Sequence, residues 1–222
     1  MPRALIVGTG DGLSASLARL LAREGYALAL AARDTAKLAA LCAETGASAH
    51  ACDAADAAQV AALFHAAGDA EVVMYNPSYR TRGPITELDP EEVQRSLQVC
   101  AFGAFLVAQQ AARRMLPKGT GTILLTGASA GVKGYPQSAP FAMGKFALRG
   151  LAQSMARELH PKGVHIAHIV VDGGIRSARR PDPAEDSLLD PDAIAETCLH
   201  LIRQHRSCWS WEIEVRPWVE KF

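Results

Sequence analysis

Seven short runs rich in aliphatic and β-branched residues alternate with longer segments of helical periodicity, and this alternation restricts the fold more than anything else in the chain. The strand-like runs are residues 4–7, 27–31, 47–51, 72–75, 122–126, 164–171 and 212–215. Between them, apolar residues recur at three- and four-residue spacing, as in Leu13, Leu17, Leu20 and Leu21. The same periodicity predicts helices over residues 56–67, 91–115, 139–160 and 191–204. Parallel strands need a crossover connection, usually a helix, so repeated strand–helix units imply a parallel sheet with helices on both faces. No linker, repeat or low-complexity tract divides the chain, so residues 1–222 are expected to form one domain. Residues 177–190, rich in Pro, Arg and Asp, read as one exposed loop.

Charge narrows the class of partner. Lys+Arg and Asp+Glu are 23 each, and a chain without basic excess gives no support to nucleic-acid or anionic-membrane binding. No apolar run approaches the ~20 residues needed to span a bilayer. Met1-Pro2-Arg3 leads directly into the first strand-like run, without the segments of a signal peptide, so a cytoplasmic location is expected. The five cysteines are odd in number and lack C-x-x-C or zinc spacing, which predicts reduced, mostly buried thiols. The seven histidines also lack metal-ligand spacing, and no metal site is expected.

The stretch from Gly8 through Gly10 and Gly12 to Leu13 and Ser14 joins the first strand to the first helix. Glycines there let the backbone turn tightly and approach a pyrophosphate, while the helix N-terminus offers N–H groups to the anion. An ordinary tight turn is the competing reading, and the strand–loop–helix context argues against it. At the end of the second strand stand Ala32 and Arg33. A guanidinium can hold a ribose 2′-phosphate bidentately. A solvated arginine paired with Asp34 is the alternative.

The spacing Gly8-x-x-x-Gly12-x-Ser14, Asn76 after the fourth strand and Phe141-x-x-x-Lys145 in the helical segment 139–160 together resemble the short-chain dehydrogenase/reductase family. The resemblance runs over nearly the whole chain. It implies a single-domain Rossmann-type fold, a doubly wound parallel sheet with helices on both faces. It also implies a nicotinamide cofactor, with NADP(H) favoured over NAD(H) because Ala32 replaces the acid usual in NAD-preferring members. Asp11 in the glycine loop, where many NADP users carry a basic residue, weakens that preference. By resemblance Asp53 contacts adenine, although helix capping is its competing role, with Asp56 the better cap. Asn76 belongs to the nicotinamide side, Gly173 and Ser177 follow the sixth strand against the cofactor, and Lys145 holds the nicotinamide ribose. Pro77 and Ser78 depart from the family pattern beside Asn76, which suggests a narrower or stiffer wall.

The same resemblance exposes a conflict. The family's catalytic tyrosine falls on Phe141, its serine on Ala128 and its asparagine on Cys100, so only the lysine of the usual group remains. A phenyl ring cannot transfer a proton, and a positioned general acid is typically worth roughly 10²- to 10⁴-fold in rate. Ser129 and Tyr135 are the preferred substitute donors. Ser138 lies two helical turns before Lys145 but reads as a helix cap. The expected activity is an atypical oxidoreductase on an unknown small carbonyl or alcohol. A catalytically inactive NADP(H)-binding regulator or scaffold is the alternative. A homodimer or homotetramer is expected from the surplus of apolar and small residues in the segments 91–115 and 139–160. Trp209, Trp211 and Trp218 are further candidate interface anchors.

Overall fold

In the computed structural model, which describes residues 1–177 and 180–220, the strands are β1 (Arg3–Val7), β2 (Ala27–Ala32), β3 (Ser48–Ala51), β4 (Val72–Tyr75), β5 (Gly121–Thr126), β6 (Val164–Val171) and β7 (Glu212–Val215). The helices are α1 (Leu13–Arg23), α2 (Ala39–Thr45), α3 (Ala57–Ala67), α4 (Pro90–Leu97), α5 (Gly103–Met115), α6 (Ala139–Leu159) and α7 (Pro191–Arg203). All strand pairs are parallel, in the order β3-β2-β1-β4-β5-β6-β7. The chain winds outward from β1 to β3, returns to place β4 on the other side of β1, and winds outward again to β7. This is the expected doubly wound Rossmann-type sheet.

Side-chain alternation along the strands builds two cores. Leu5 and Val7 of β1 join Leu63 of α3, Val107 of α5 and Leu148 of α6 on one face. Ala4 and Ile6 join Leu17 of α1 and Ile194 of α7 on the other. A sheet covered on both faces needs apolar residues at successive positions, which explains the unbroken apolar runs. Asp56, Asp89 and Asp190 start α3, α4 and α7 by accepting the N–H groups of Ala58 (2.8 Å), Glu91 (2.9 Å) and Asp192 (2.8 Å).

Three expectations need correction. The helix predicted over residues 91–115 is helical throughout, but it starts at Pro90 and passes through a π turn at Gln98–Phe102. The Tyr75 hydroxyl donates to the Val99 carbonyl at 2.5 Å and so competes for an acceptor of the helical ladder. Residues 177–190 are not wholly exposed. Leu189 is buried, its carbonyl accepts from Arg176 N (2.8 Å) and its N–H donates to Gly174 O (2.8 Å), so the loop is laced to the segment after β6. Of the three tryptophans, two fold onto their own domain. Trp209 stacks on His165 with ring centroids 4.8 Å apart, and Trp211 packs against the core. Only Trp218 stands out into solvent. Cys52, Cys100 and Cys198 are buried free thiols, whereas Cys42 is half-buried and Cys208 exposed.

Candidate active site

The connections that leave the carboxyl ends of β1 and β4 pass to opposite faces of the sheet where the strand order reverses, and a crevice opens there. Gly8 turns the chain out of β1 with φ +80°, and a Cβ at this position would lie 2.6 Å from the Pro77 ring. Only glycine fits that close approach. Gly12 precedes α1, and no side chain caps the N-terminus of that helix. Cβ atoms at Gly10 and Gly12 would meet open space.

Two hollows share Gly8 and Asn76. The larger, about 660 Å³, is lined by Arg33, Lys37 and Asp53 among others. The smaller, about 300 Å³, is lined by Gly10, Gly12, Leu13 and Ser177. Most residues expected at a cofactor thus border one connected crevice. Arg33 is exposed and forms no ion pair among the described residues, because Asp34 instead accepts from Ala36 N and lies 3.4 Å from Lys37. Asp53 accepts from Ala55 N at 3.0 Å, leaving the α3 cap to Asp56. Ser14 is buried. Its hydroxyl accepts from the Asn76 amide (2.7 Å) and donates to Gly8 O (3.3 Å), so it cross-links both sides of the crevice. Gly173 lines neither hollow. Its φ is +147°, and a Cβ there would lie 2.8 Å from Pro217.

The reaction end is built differently. Cys100, Ala130 and Phe141 form a buried apolar cluster, with Ala128 packed against it. The three positions where the resemblance anticipates asparagine, serine and tyrosine thus meet one another in a small core. The Cys100 thiol is clasped by Tyr79, 3.4 Å from both its N–H and its carbonyl. The Arg80 guanidinium lies over the Phe141 ring, 4.2 Å from its centroid. Lys145 is 2% exposed and donates to Thr126 O at 2.8 Å. Burial pushes its pKa down to about 8. It lines neither hollow.

Ser129 sits half-buried in the turn after β5. Tyr135 is 43% exposed, with the Lys133 ammonium 5.7 Å from its ring centroid. The Tyr135 hydroxyl, and secondarily Asp172, hold Lys133 above the usual lysine range. Ser138 occupies the N-cap position of α6, but its side chain makes no capping bond, contrary to its expected role. Sequence reasoning missed Ser14 as a cross-link, Lys37 as a second basic residue in the crevice, and Arg80. The run Arg80-Thr81-Arg82 was the available signal for the last.

The sequence pattern of the short chain dehydrogenase family matches residues 2–184. A short-chain dehydrogenase structure from Rhodopseudomonas palustris is 32% identical and superposes with a TM-score of 0.87, covering 98% of this chain and 99% of that one. An alcohol dehydrogenase from Thermococcus sibiricus, complexed with 5-hydroxy-NADP, is 25% identical with a TM-score of 0.87, covering 100% of this chain and 98% of the other. A cyclic-di-GMP-binding biofilm dispersal mediator protein from Escherichia coli is 30% identical over 191 residues, 83% of this chain and 78% of its own length. The chain belongs to the short-chain dehydrogenase/reductase family, whose fold and nicotinamide-dependent oxidoreductase type it shares.

Proposed function

We propose that this protein is an NADP(H)-dependent oxidoreductase acting on a small carbonyl or alcohol, with a proton source other than the side chain at position 141. The carrying observation is the contrast between an open crevice that holds Arg33 and an apolar cluster at Cys100, Ala128 and Phe141. The uncapped start of α1, the close approach at Gly8 and the unpaired Arg33 suit a pyrophosphate and a 2′-phosphate. The likeness to an alcohol dehydrogenase that is complexed with an NADP derivative supports the same choice. The bound cofactor would supply or accept hydride. The protein's own residues hold its phosphates, and Asn76 is oriented by Ser14. Ser129 and Tyr135 are the hydroxyls left to pass a proton, with Lys133 beside Tyr135 in the way a lysine supports a phenol.

The test is NADPH oxidation against a carbonyl panel in wild type, Tyr135→Phe and Ser129→Ala. Loss of the turnover in either variant, with NADPH affinity retained, supports the assignment. Turnover untouched in both variants removes these donors. A complete absence of turnover in wild type favours the second reading, an NADP(H)-binding regulator. The Arg80 guanidinium laid over Phe141 is the observation that favours it, since it covers the place where a substrate oxygen would meet a donor. The likeness to the Escherichia coli cyclic-di-GMP-binding biofilm dispersal mediator protein supports a regulatory role as this second reading.

A further inference from the structure

Asp172 is a buried carboxylate directly after β6, shortly before Ile175, Arg176 and Ser177 form part of the wall of the smaller hollow. A charge taken out of water must be paired. Its Oδ2 lies 3.1 Å from Arg216 Nη2 and 3.4 Å from Lys133 Nζ. Its N–H donates to Val215 O at 2.9 Å. One side chain thus joins the turn after β5, the end of β6 and the segment after β7. Arg216 also pairs with Glu214, so its charge is shared between two carboxylates. Among the described residues, Lys133 pairs with Asp172 alone. The turn that carries Lys133 is folded as well. The N–H groups of Val132 and Lys133 both donate to Ser129 O, at 3.0 and 2.9 Å, and Ser138 N donates to Tyr135 O at 3.2 Å. Lys133 Nζ stands between the Asp172 carboxylate and the Tyr135 ring, 5.7 Å from the ring centroid. A half-exposed lysine samples many rotamers, and a buried partner restricts it to a few.

We infer that Asp172 is a positioning residue for proton transfer, pinning the Lys133 ammonium beside Tyr135 so that the phenol meets the substrate with a cation next to it. This rests on the oxidoreductase reading, and it selects Tyr135 over Ser129 as the donor. On carbonyl reduction the Tyr135 hydroxyl gives its proton to the substrate oxygen, and the carbonyl carbon takes hydride from NADPH. The phenolate left behind is held by Lys133 until solvent, which reaches this exposed ring, returns a proton.

The pH profile of NADPH-dependent reduction tests it, with the most reactive ketone of a panel, in wild type, Asp172→Asn, Lys133→Met and Tyr135→Phe. Asp172→Asn is expected to lower kcat roughly tenfold or more with KM little changed. Without the carboxylate Lys133 loses its proton more readily, so the alkaline limb of kcat/KM should move to lower pH. Lys133→Met, which leaves the Asp172–Arg216 pair intact, should reproduce the fall in kcat, so the outcome does not hang on one variant folding. A carboxylate that only supports the fold would lower thermal stability and leave the limb in place, and that result overturns the inference. So does turnover retained in Tyr135→Phe. Lys133 is also titrated by NMR on protein with isotope-labelled lysine, which needs no turnover. Its pKa is expected to fall in Asp172→Asn and in Tyr135→Phe, and an unchanged value in Asp172→Asn overturns the tie. If wild type reduces no ketone, the oxidoreductase reading falls, and the titration alone still decides whether Asp172 and Tyr135 hold Lys133.

Discussion

Asn76 donates a 2.7 Å hydrogen bond to the hydroxyl of Ser14, joining the end of β4 to the first turn of α1 across the crevice. The same hydroxyl reaches Gly8 O, so one buried side chain fixes the glycine loop, its helix and the neighbouring strand. Ser14→Ala leaves the Asn76 amide without this partner. The expected loss is about 1 kcal/mol in denaturant unfolding, together with weaker NADPH binding. Unchanged stability and cofactor affinity would show that the cross-link contributes nothing.

Arg33 is expected to discriminate between the cofactors. Arg33→Ala should weaken NADPH by roughly tenfold or more through loss of charge-assisted bonds to the 2′-phosphate, and leave NADH nearly unchanged. Equal losses for both would place the guanidinium elsewhere.

The buried Lys145 makes stability depend on alkaline pH. Its folded pKa of about 8 lies below the ordinary lysine value of about 10.4. Between those values the unfolded chain binds more protons, so stability rises as pH climbs through this window. Below about 8 the full penalty stands. Relative to wild type, Lys145→Met should therefore be most favoured near neutrality and progressively less so toward about pH 10, over a span of up to about 3 kcal/mol. A wild-type–variant difference that stays flat with pH contradicts the burial of a charged amine.

Acid acts on a different cluster. His168 is fully buried, with Nδ1 2.9 Å from Glu212, which also binds Arg149. Burial lowers the His168 pKa, and the Arg149 hydrogen bond lowers that of Glu212. In both cases the unfolded chain binds more protons as pH falls, so stability drops below about 6.5 for the histidine and below about 4.5 for the carboxylate. His168→Gln should shift the acid-unfolding midpoint toward lower pH. Gly127→Ala would press a Cβ against His168 Nε2, and about 1–3 kcal/mol of overpacking is expected in thermal unfolding.

The structural elements were legible because a sheet buried on both faces demands apolar runs, and helices between parallel strands demand 3.6-residue periodicity. The glycine loop was legible because its requirement is backbone conformation, which glycine reports directly. The reaction end was only half legible. Phe141, Cys100 and Ala128 could be seen to lack polar atoms, but their meeting in one cluster depends on β5, α6 and the π turn coming together. The placement of Arg80 was hidden because it comes from an irregular segment, where side-chain direction follows tertiary contacts at Tyr79 and Gly83. Lys145 was legible by spacing, but its burial against Thr126 was not.

Phe102, Phe105, Met143 and Phe146 are between 41% and 49% exposed, whereas Ala108, Met115, Leu148 and Ala152 of the same helices are buried against the sheet. The helices thus carry a second apolar face, and a homodimer or homotetramer through it is the expected assembly. Light scattering at micromolar concentration should give a multiple of 23.6 kDa. Phe105→Glu combined with Phe146→Glu should reduce it to one chain. A wild-type monomer that persists with NADPH present contradicts the assembly.

Steady-state assay of wild type beside Phe141→Tyr, with NADPH binding measured on the same preparations, bears most directly on a retained cofactor crevice joined to an altered reaction end. Both proteins are expected to bind NADPH with similar affinity. On neutral secondary alcohols and ketones the wild type should turn over far below the median enzyme rate of roughly 10 s⁻¹. The variant should recover little, because Cys100 and Ala128 remain apolar and Arg80 still covers the ring. Wild-type turnover near that median on neutral ketones, or no saturable NADPH binding, would contradict it.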